Sequence, residues 1–353
     1  MGGRASKLAD GSTVRSILTG AWRPEPPSVD CSADELCRVA PLLASSGAAA
    51  IAWRRLRDTA LAGHPEAAGL RDTHRRNTLQ AARLEHELRR VFTLLRSSGV
   101  EPILIKGWGV SRLYPERGLR PYGDIDLCVS PADYARARES LNALDDRSCW
   151  VDLDHDEVDR LDARRWEDLY SRSILESLGD TEVRVPCAED HLRLLCIHLL
   201  KEGARRPLWL CDIALAVEGR ADGFDWRLCL GEADPQANWV ATAVALAGRL
   251  LDAKIDDTPA ARVAERLPAW LVPAVLRQWG EPFRPAPPPM RWQLRRRPSG
   301  LLRALRERWP NPLEASVATR SRLAGRSPLP LQVKTYLSPK RVRKLLRGGT
   351  PGS

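Results

Sequence analysis

Apolar residues recur at Leu79, Leu84, Leu88, Phe92 and Leu95 within the stretch 70–98, the spacing of one helix face. Ser98-Gly99 ends that run. Pro102–Ile105 then reads as a short buried strand, Gly107–Tyr114 as a helix and Pro115–Tyr122 as a loop. Asp124–Val129 forms a second strand, and Pro131–Leu144 a helix with proline in its first turn. Cys149–Asp154 alternates as a third strand, with Cys149, Val151 and Leu153 on one face and Asp152 and Asp154 on the other. A helix near Arg164–Leu178, a strand at Glu182–Val185 and helices at Glu189–Lys201 and Leu208–Val217 follow, with more helices to about residue 280. Upstream, residues 12–62 alternate helical patterns with breaks at Pro24, Pro26 and Pro27, and Ser32-Ala33-Asp34-Glu35 has the form of a capping box. No internal repeat is visible. This order predicts an α+β fold, a small mixed sheet flanked by helices. An N-terminal helical region covers 1–98, the sheet 99–186, a second helical region 187–280, and a proline-rich linker with a basic C-terminal segment 281–353.

Charge changes the picture at one end only. The net charge is +10. Residues 290–353 hold sixteen Lys and Arg against Glu307 and Glu314, a balance of +14, so the remainder is about −4. That segment makes nucleic acid or an anionic surface a candidate partner, beside the plainer expectation of a solvated basic surface. No apolar run approaches the ~20 residues of a membrane span, and the first residues lack the apolar core of a secretory signal. A cytoplasmic protein is expected. The eight cysteines form no Cys-x-x-Cys pair and are expected as reduced thiols. The histidines are not spaced with them as zinc ligands are. His64, His74, His86 and His191 are expected at the surface.

The candidate chemistry lies in residues 104–129. In a strand, residues i and i+2 share a face, so Asp124 and Asp126 project together while Ile125 points into a core. Two adjacent carboxylates repel unless a positive charge lies between them. A divalent metal supplies it, and hard oxygen ligands suit Mg²⁺.

The stretch Gly107-Trp108-Gly109-Val110 through Asp124-Ile125-Asp126 resembles the Gly-Gly-Trp-Ala…Asp-Ile-Asp core of aminoglycoside nucleotidyltransferases, within the polymerase-β-type superfamily. It is more similar to a bacterial family of uncharacterised nucleotidyltransferases, matched by Lys106, Gly107, Tyr114, Pro115, Gly118, Leu119, Arg120, Pro121, Asp124, Ile125, Asp126 and Leu127. His198-Leu199-Leu200-Lys201-Glu202 and Trp209-Leu210-Cys211-Asp212-Ile213 extend the likeness, with Glu202 where the family carries a second histidine. The resemblance implies a nucleotidyltransferase sheet that moves NMP from an NTP to a hydroxyl-bearing small molecule, peptide or glycan and releases pyrophosphate. It implies two Mg²⁺ ions and a third carboxylate on the adjacent strand. Asp152 aligns with the family's aspartate there; Asp154, where the family has histidine, is the alternative.

Gly107, where strand turns to helix, allows close approach of phosphate to backbone N–H groups. Lys106, Gly107 and Trp108 are therefore candidate nucleotide-binding residues. Arg120 is a candidate contact to the leaving pyrophosphate, with a salt bridge as its plainer role. His198 and Lys201, three apart on one helix face, are candidate nucleotide or acceptor contacts. Asp212 reads rather as a buried polar tie between helices. Two competing functions stand beside catalysis: a degenerate nucleotide-binding regulator, and an adaptor acting through the basic segment.

Overall fold

The structure, a computed structural model, describes residues 2–143, 150–155, 157–159, 162–232, 235–283, 308–323 and 325–338. Helices α1 (Gly2–Leu18), α2 (Ala33–Ser45), α3 (Ala49–Leu56) and α4 (Pro65–Ser97) precede the sheet. The capping box forms as its residues predict: the Ser32 hydroxyl accepts from Glu35 N, and the Glu35 carboxylate accepts from Ser32 N at 2.9 Å. Leu84, Leu88, Phe92 and Leu95 of α4 are buried, but Leu79 is 74% exposed. Five residues carry Leu79 roughly 140° around the helix from Leu84, off the buried stripe.

Strand β1 (Ile103–Leu104), the single turn α5 (Trp108–Ser111), β2 (Asp124–Val129), α6 (Tyr134–Asn142) and β3 (Trp150–His155) follow. The sheet order is β1-β2-β3, with β1 antiparallel and β3 parallel to β2. This is the small mixed sheet that the pattern predicts. Ile125, Leu127, Val129, Val151 and Leu153 pack against Leu88, Val91, Phe92 and Leu95 of α4. The helix expected over Gly107–Tyr114 is shorter, because beyond α5 the N–H groups of Leu113 and Tyr114 bond three residues back in tighter turns. Pro131–Asp133 forms a turn rather than the start of a helix. Leu144 and Cys149 lie outside the described residues.

Two hairpins come next. β4 (Glu157–Asp159) pairs with β5 (Asp162–Arg165), and after α7 (Trp166–Arg172), β6 (Ile174–Leu178) pairs with β7 (Thr181–Val185). The helix expected over Arg164–Leu178 is thus confined to seven residues. Ser173 leaves helical backbone, and Ile174–Leu178 turns back at Gly179-Asp180 to pair with β7. Strand preference depends on such cross-strand partners more than on local sequence.

Helices α8 (Ala188–Lys201), α9 (Pro207–Glu218), α10 (Trp226–Leu230), α11 (Gln236–Leu251), α12 (Ala261–Ala264) and α13 (Leu271–Trp279) complete the helical part up to residue 280. Ile17, Leu18, Leu36 and Leu43 share one core with Leu199, Leu200, Ile213, Trp239 and Leu246. The two helical regions, far apart in sequence, therefore form one body. His191 is buried against α5 rather than at the surface, because its helix is enclosed on several sides.

α1 runs so close to α13 that a methyl on Gly11 would lie 1.9 Å from the carbonyl oxygen of Leu276, and one on Gly280 1.9 Å from that of Lys7. Backbone cannot yield as a flexible side chain can. Gly11→Ala should therefore cost about 2 kcal/mol or more, read as a lower midpoint in chemical denaturation. An unchanged midpoint would show that the helices do not approach in this way.

Of the proline-rich segment, 284–289 lies outside the described residues. Helices α14 (Pro312–Ala318) and α15 (Leu329–Tyr336) follow. Leu313, Val317 and Leu323 enter the main core. Asn311 Nδ2 donates to Gly203 O at 2.9 Å and Trp239 Nε1 to Ser321 O at 2.8 Å. This part of the basic C-terminal segment is built into the helical body; residues 290–307 and 339–353 lie outside the described set.

Candidate active site

The pairing of β2 with β3 sets Asp126 opposite Asp152, Asp124 opposite Trp150 and Cys128 opposite Asp154. Partners in parallel register project to the same side of a sheet. Asp124, Asp126, Asp152 and Asp154 thus share the face opposite the α4 core. Further along that face, Cys128 is buried with Leu169 of α7 and Leu194 of α8.

Asp124 is exposed and Asp126 partly buried. Burial pushes the Asp126 carboxyl up to about 6; Lys106 works against this, while the charges of Asp124 and Asp152 add to it. The Asp154 carboxyl is raised too, first by burial and then by Asp152. Asp126 and Asp154 thus sit in an acidic cluster that disfavours their own ionised forms.

Lys106 follows β1, and its charge acts on Asp126, Asp154 and His198. Gly107 has φ +64°, and a Cβ there would lie 3.3 Å from Asp124 O and 3.5 Å from the Tyr122 ring. The position needs glycine for both reasons. Trp108 packs its indole in the α4–sheet core, which leaves its backbone, not its ring, to meet a ligand.

The helical body supplies the opposing charges. Burial pushes the His198 imidazole down to about 3, helped by Lys106, Arg120, Lys201 and Arg206, so it is neutral at pH 7. Its ring meets Trp209 edge-on at 4.6 Å. Lys201 acts on Asp154, and Arg206 feels Asp124. The structure thus brings His198 and Lys201 to the acidic face.

Arg206 is a residue that sequence reasoning missed. Its guanidinium lies over Trp209 (5.2 Å) and Phe283 (4.2 Å), and its buried Nε has no hydrogen-bond partner among the described residues. Its signal was slight, a basic residue just before the Pro207 that opens a helix.

Arg120 makes the salt bridge that was its plainer role. Its Nη2 and Nε reach Asp212 Oδ2 at 3.2 and 3.3 Å, and Tyr114 Oη donates to Asp212 Oδ1 at 2.8 Å. All three are buried. Asp212 is a buried tie, as expected, but it joins α9 to the loop before β2 rather than helix to helix. The matched Tyr114 and Arg120 fasten that loop. Arg120 still acts on Asp126 through its charge.

Elsewhere, Cys37, His64 and Glu66 bring donor atoms within 4.8 Å of one another, which sequence spacing did not indicate. His64 Nδ1 caps α4 by accepting from Glu66 N, while Cys37 Sγ lies 3.9 Å from Nε2. The cap accounts for the grouping.

Carboxylates of this kind can hold a hard cation, and lysine and arginine beside them can hold phosphates. The class so defined is an enzyme that transfers phosphorylated groups. A family described as an uncharacterised nucleotidyltransferase matches residues 33–252, from the start of α2 to just past α11. The chain belongs to that family and is a nucleotidyltransferase. No curated protein and no solved structure matches it.

Proposed function

We propose that the enzyme moves NMP from an NTP to a hydroxyl on a small molecule, peptide or glycan, with Mg²⁺ held by Asp124, Asp126 and Asp152 and release of pyrophosphate. The register that sets Asp126 beside Asp152, with Asp124 on the same face, carries this reading. The donor set fits the ion: it is hard carboxylate oxygen, and a divalent cation would offset both the burial that chiefly raises Asp126 and the charges of Asp124 and Asp152 that add to it. When bound, Mg²⁺ supplies charge neutralisation at the attacking and leaving oxygens. The resemblance to the polymerase-β-type superfamily favours two ions.

The chain's own residues do the rest. Lys106, the backbone at Gly107 and Trp108, Lys201 and Arg206 bind and orient the triphosphate. Asp152 takes the proton of the acceptor hydroxyl at a carboxylate oxygen. Neutral His198, steadied by Trp209, offers a hydrogen bond without adding charge. Arg120 acts at a distance, by fixing the loop that leads to Asp124.

Asp152→Ala should lower turnover by on the order of a hundred- to ten-thousandfold and leave NTP affinity within a few-fold, since Asp124 and Asp126 remain. Asp154→Ala should do much less. Pyrophosphate release with each of four NTPs, beside NTP affinity, measures both effects. If Asp154→Ala is the dead variant, the third carboxylate is misassigned. NTP binding by wild type without turnover on any acceptor would point to a nucleotide-binding regulator.

A further inference from the structure

Helix α15 is amphipathic in the reverse sense. It turns Gln332 and Thr335, 8% and 6% exposed, toward the protein and leaves Leu329, Val333 and Leu337 54%, 39% and 66% exposed around it. Gln332 Nε2 donates to Pro310 O at 2.6 Å and Thr335 Oγ1 to Ala315 O at 3.3 Å, so the inward polar residues are satisfied. The outward apolar residues are four apart and fall on one side. Trp309, also exposed, adds to this region, with its ring 5.2 Å from that of Tyr336. Eight large apolar side chains stand exposed among the described residues, and four of them are Trp309, Leu329, Val333 and Leu337. A surface helix ordinarily buries such residues, and a clustered apolar surface marks a contact.

The surrounding charge says what the contact is with. Residues 315–353 carry nine Lys and Arg and no Asp or Glu. Exposed Arg326 and Lys334 lie beside and within α15, and five more cations follow in 340–347. We infer that α15, with Arg326 and Lys334 beside its exposed apolar side chains, docks the enzyme on an anionic lipid surface, with Leu329, Val333, Leu337 and Trp309 entering the headgroup boundary. Leucine and tryptophan on a face rimmed by Lys and Arg match that boundary. Polybasic sequence near a membrane adds attraction to anionic headgroups. Nucleic acid would meet the cations but would leave the three aliphatic side chains without a partner. The inference is independent of the nucleotide chemistry.

Sedimentation of the full chain with vesicles tests it. Binding to vesicles of equal parts phosphatidylcholine and phosphatidylglycerol should exceed binding to phosphatidylcholine alone by roughly tenfold or more, and should weaken with salt. The double substitution Leu329→Ser, Leu337→Ser should cut that binding by about tenfold or more with an unchanged melting temperature, since both side chains are exposed. Lys334→Glu should weaken binding to the anionic vesicles only. Three results would overturn the inference. One is equal vesicle binding by wild type and the double-serine variant. Another is binding to an oligonucleotide but not to vesicles. The third is a wild-type dimer that the double-serine variant turns into a monomer, which would make the face a contact between copies.

Discussion

Asp126→Asn should abolish nucleotidyl transfer and, in EDTA at pH 7.5, melt at a higher temperature than wild type. Asp126 shares its face with Asp124 and Asp152, and burial together with their charges raises its carboxyl from 3.8 to about 6. The folded state therefore holds this proton more tightly than the unfolded state. The group's contribution to stability is full below pH 3.8 and is lost as pH rises through 6. At pH 7.5 the wild type carries the ionised, crowded form and the variant does not. A rise to about 6 corresponds to roughly 3 kcal/mol, and discounting for solvent leaves about 1–2 kcal/mol, a gain of a few degrees. The gain should shrink as pH falls from 7 to 4. Addition of Mg²⁺ should then raise the melting temperature of wild type and not of the variant, because only a ligand of the native state stabilises it. Turnover at the native rate by Asp126→Asn would end the catalytic assignment. A melting temperature that falls at pH 7.5 would end the electrostatic account.

Asp212→Ala should have the largest effect on stability. Asp212 is fully buried and answers both Tyr114 and Arg120. Its removal strands a buried guanidinium, which costs about 3–5 kcal/mol. Chemical denaturation measures that loss. The pair Asp212→Leu with Arg120→Met should recover most of it, since replacing a buried ion pair with apolar side chains of similar volume is close to neutral. That double variant also separates two roles for Arg120. If it is stable and turns over NTP within about tenfold of wild type, Arg120 fastens the loop before β2. If it is stable but inactive, the charge of Arg120 is needed at the phosphates, as its place in the matched motif suggested.

What could be seen in the sequence was whatever depends on near neighbours. The capping box at Ser32 and Glu35 closes within one turn, so its four residues suffice to predict it. The shared face of Asp124 and Asp126 follows from the two-residue period of a strand, and Ile125 between them had to face a core. The ordered run from Lys106 to Leu127 marks the nucleotidyltransferase family by sequence alone. Leu79 and Ile174–Leu178 differ from the expectation for one reason: their local spacing suits more than one structure, and a distant partner decides. The β6–β7 pairing made Ile174–Leu178 a strand, and the rotation of α4 against the sheet left Leu79 in solvent.

The tertiary structure alone decided the rest. The register of two strands about 25 residues apart set Asp126 opposite Asp152 and Cys128 opposite Asp154. Packing of α9 against the loop before β2 drew Arg120 onto Asp212, 92 residues away, and brought Arg206 toward the acids from a helix start that gave almost no signal. It also turned α15 with Leu329 and Val333 outward. Periodicity fixes which residues of an element share a face, but only the contacts of the folded chain fix which face meets the core, because burial and electrostatic fields arise between residues that the sequence holds far apart.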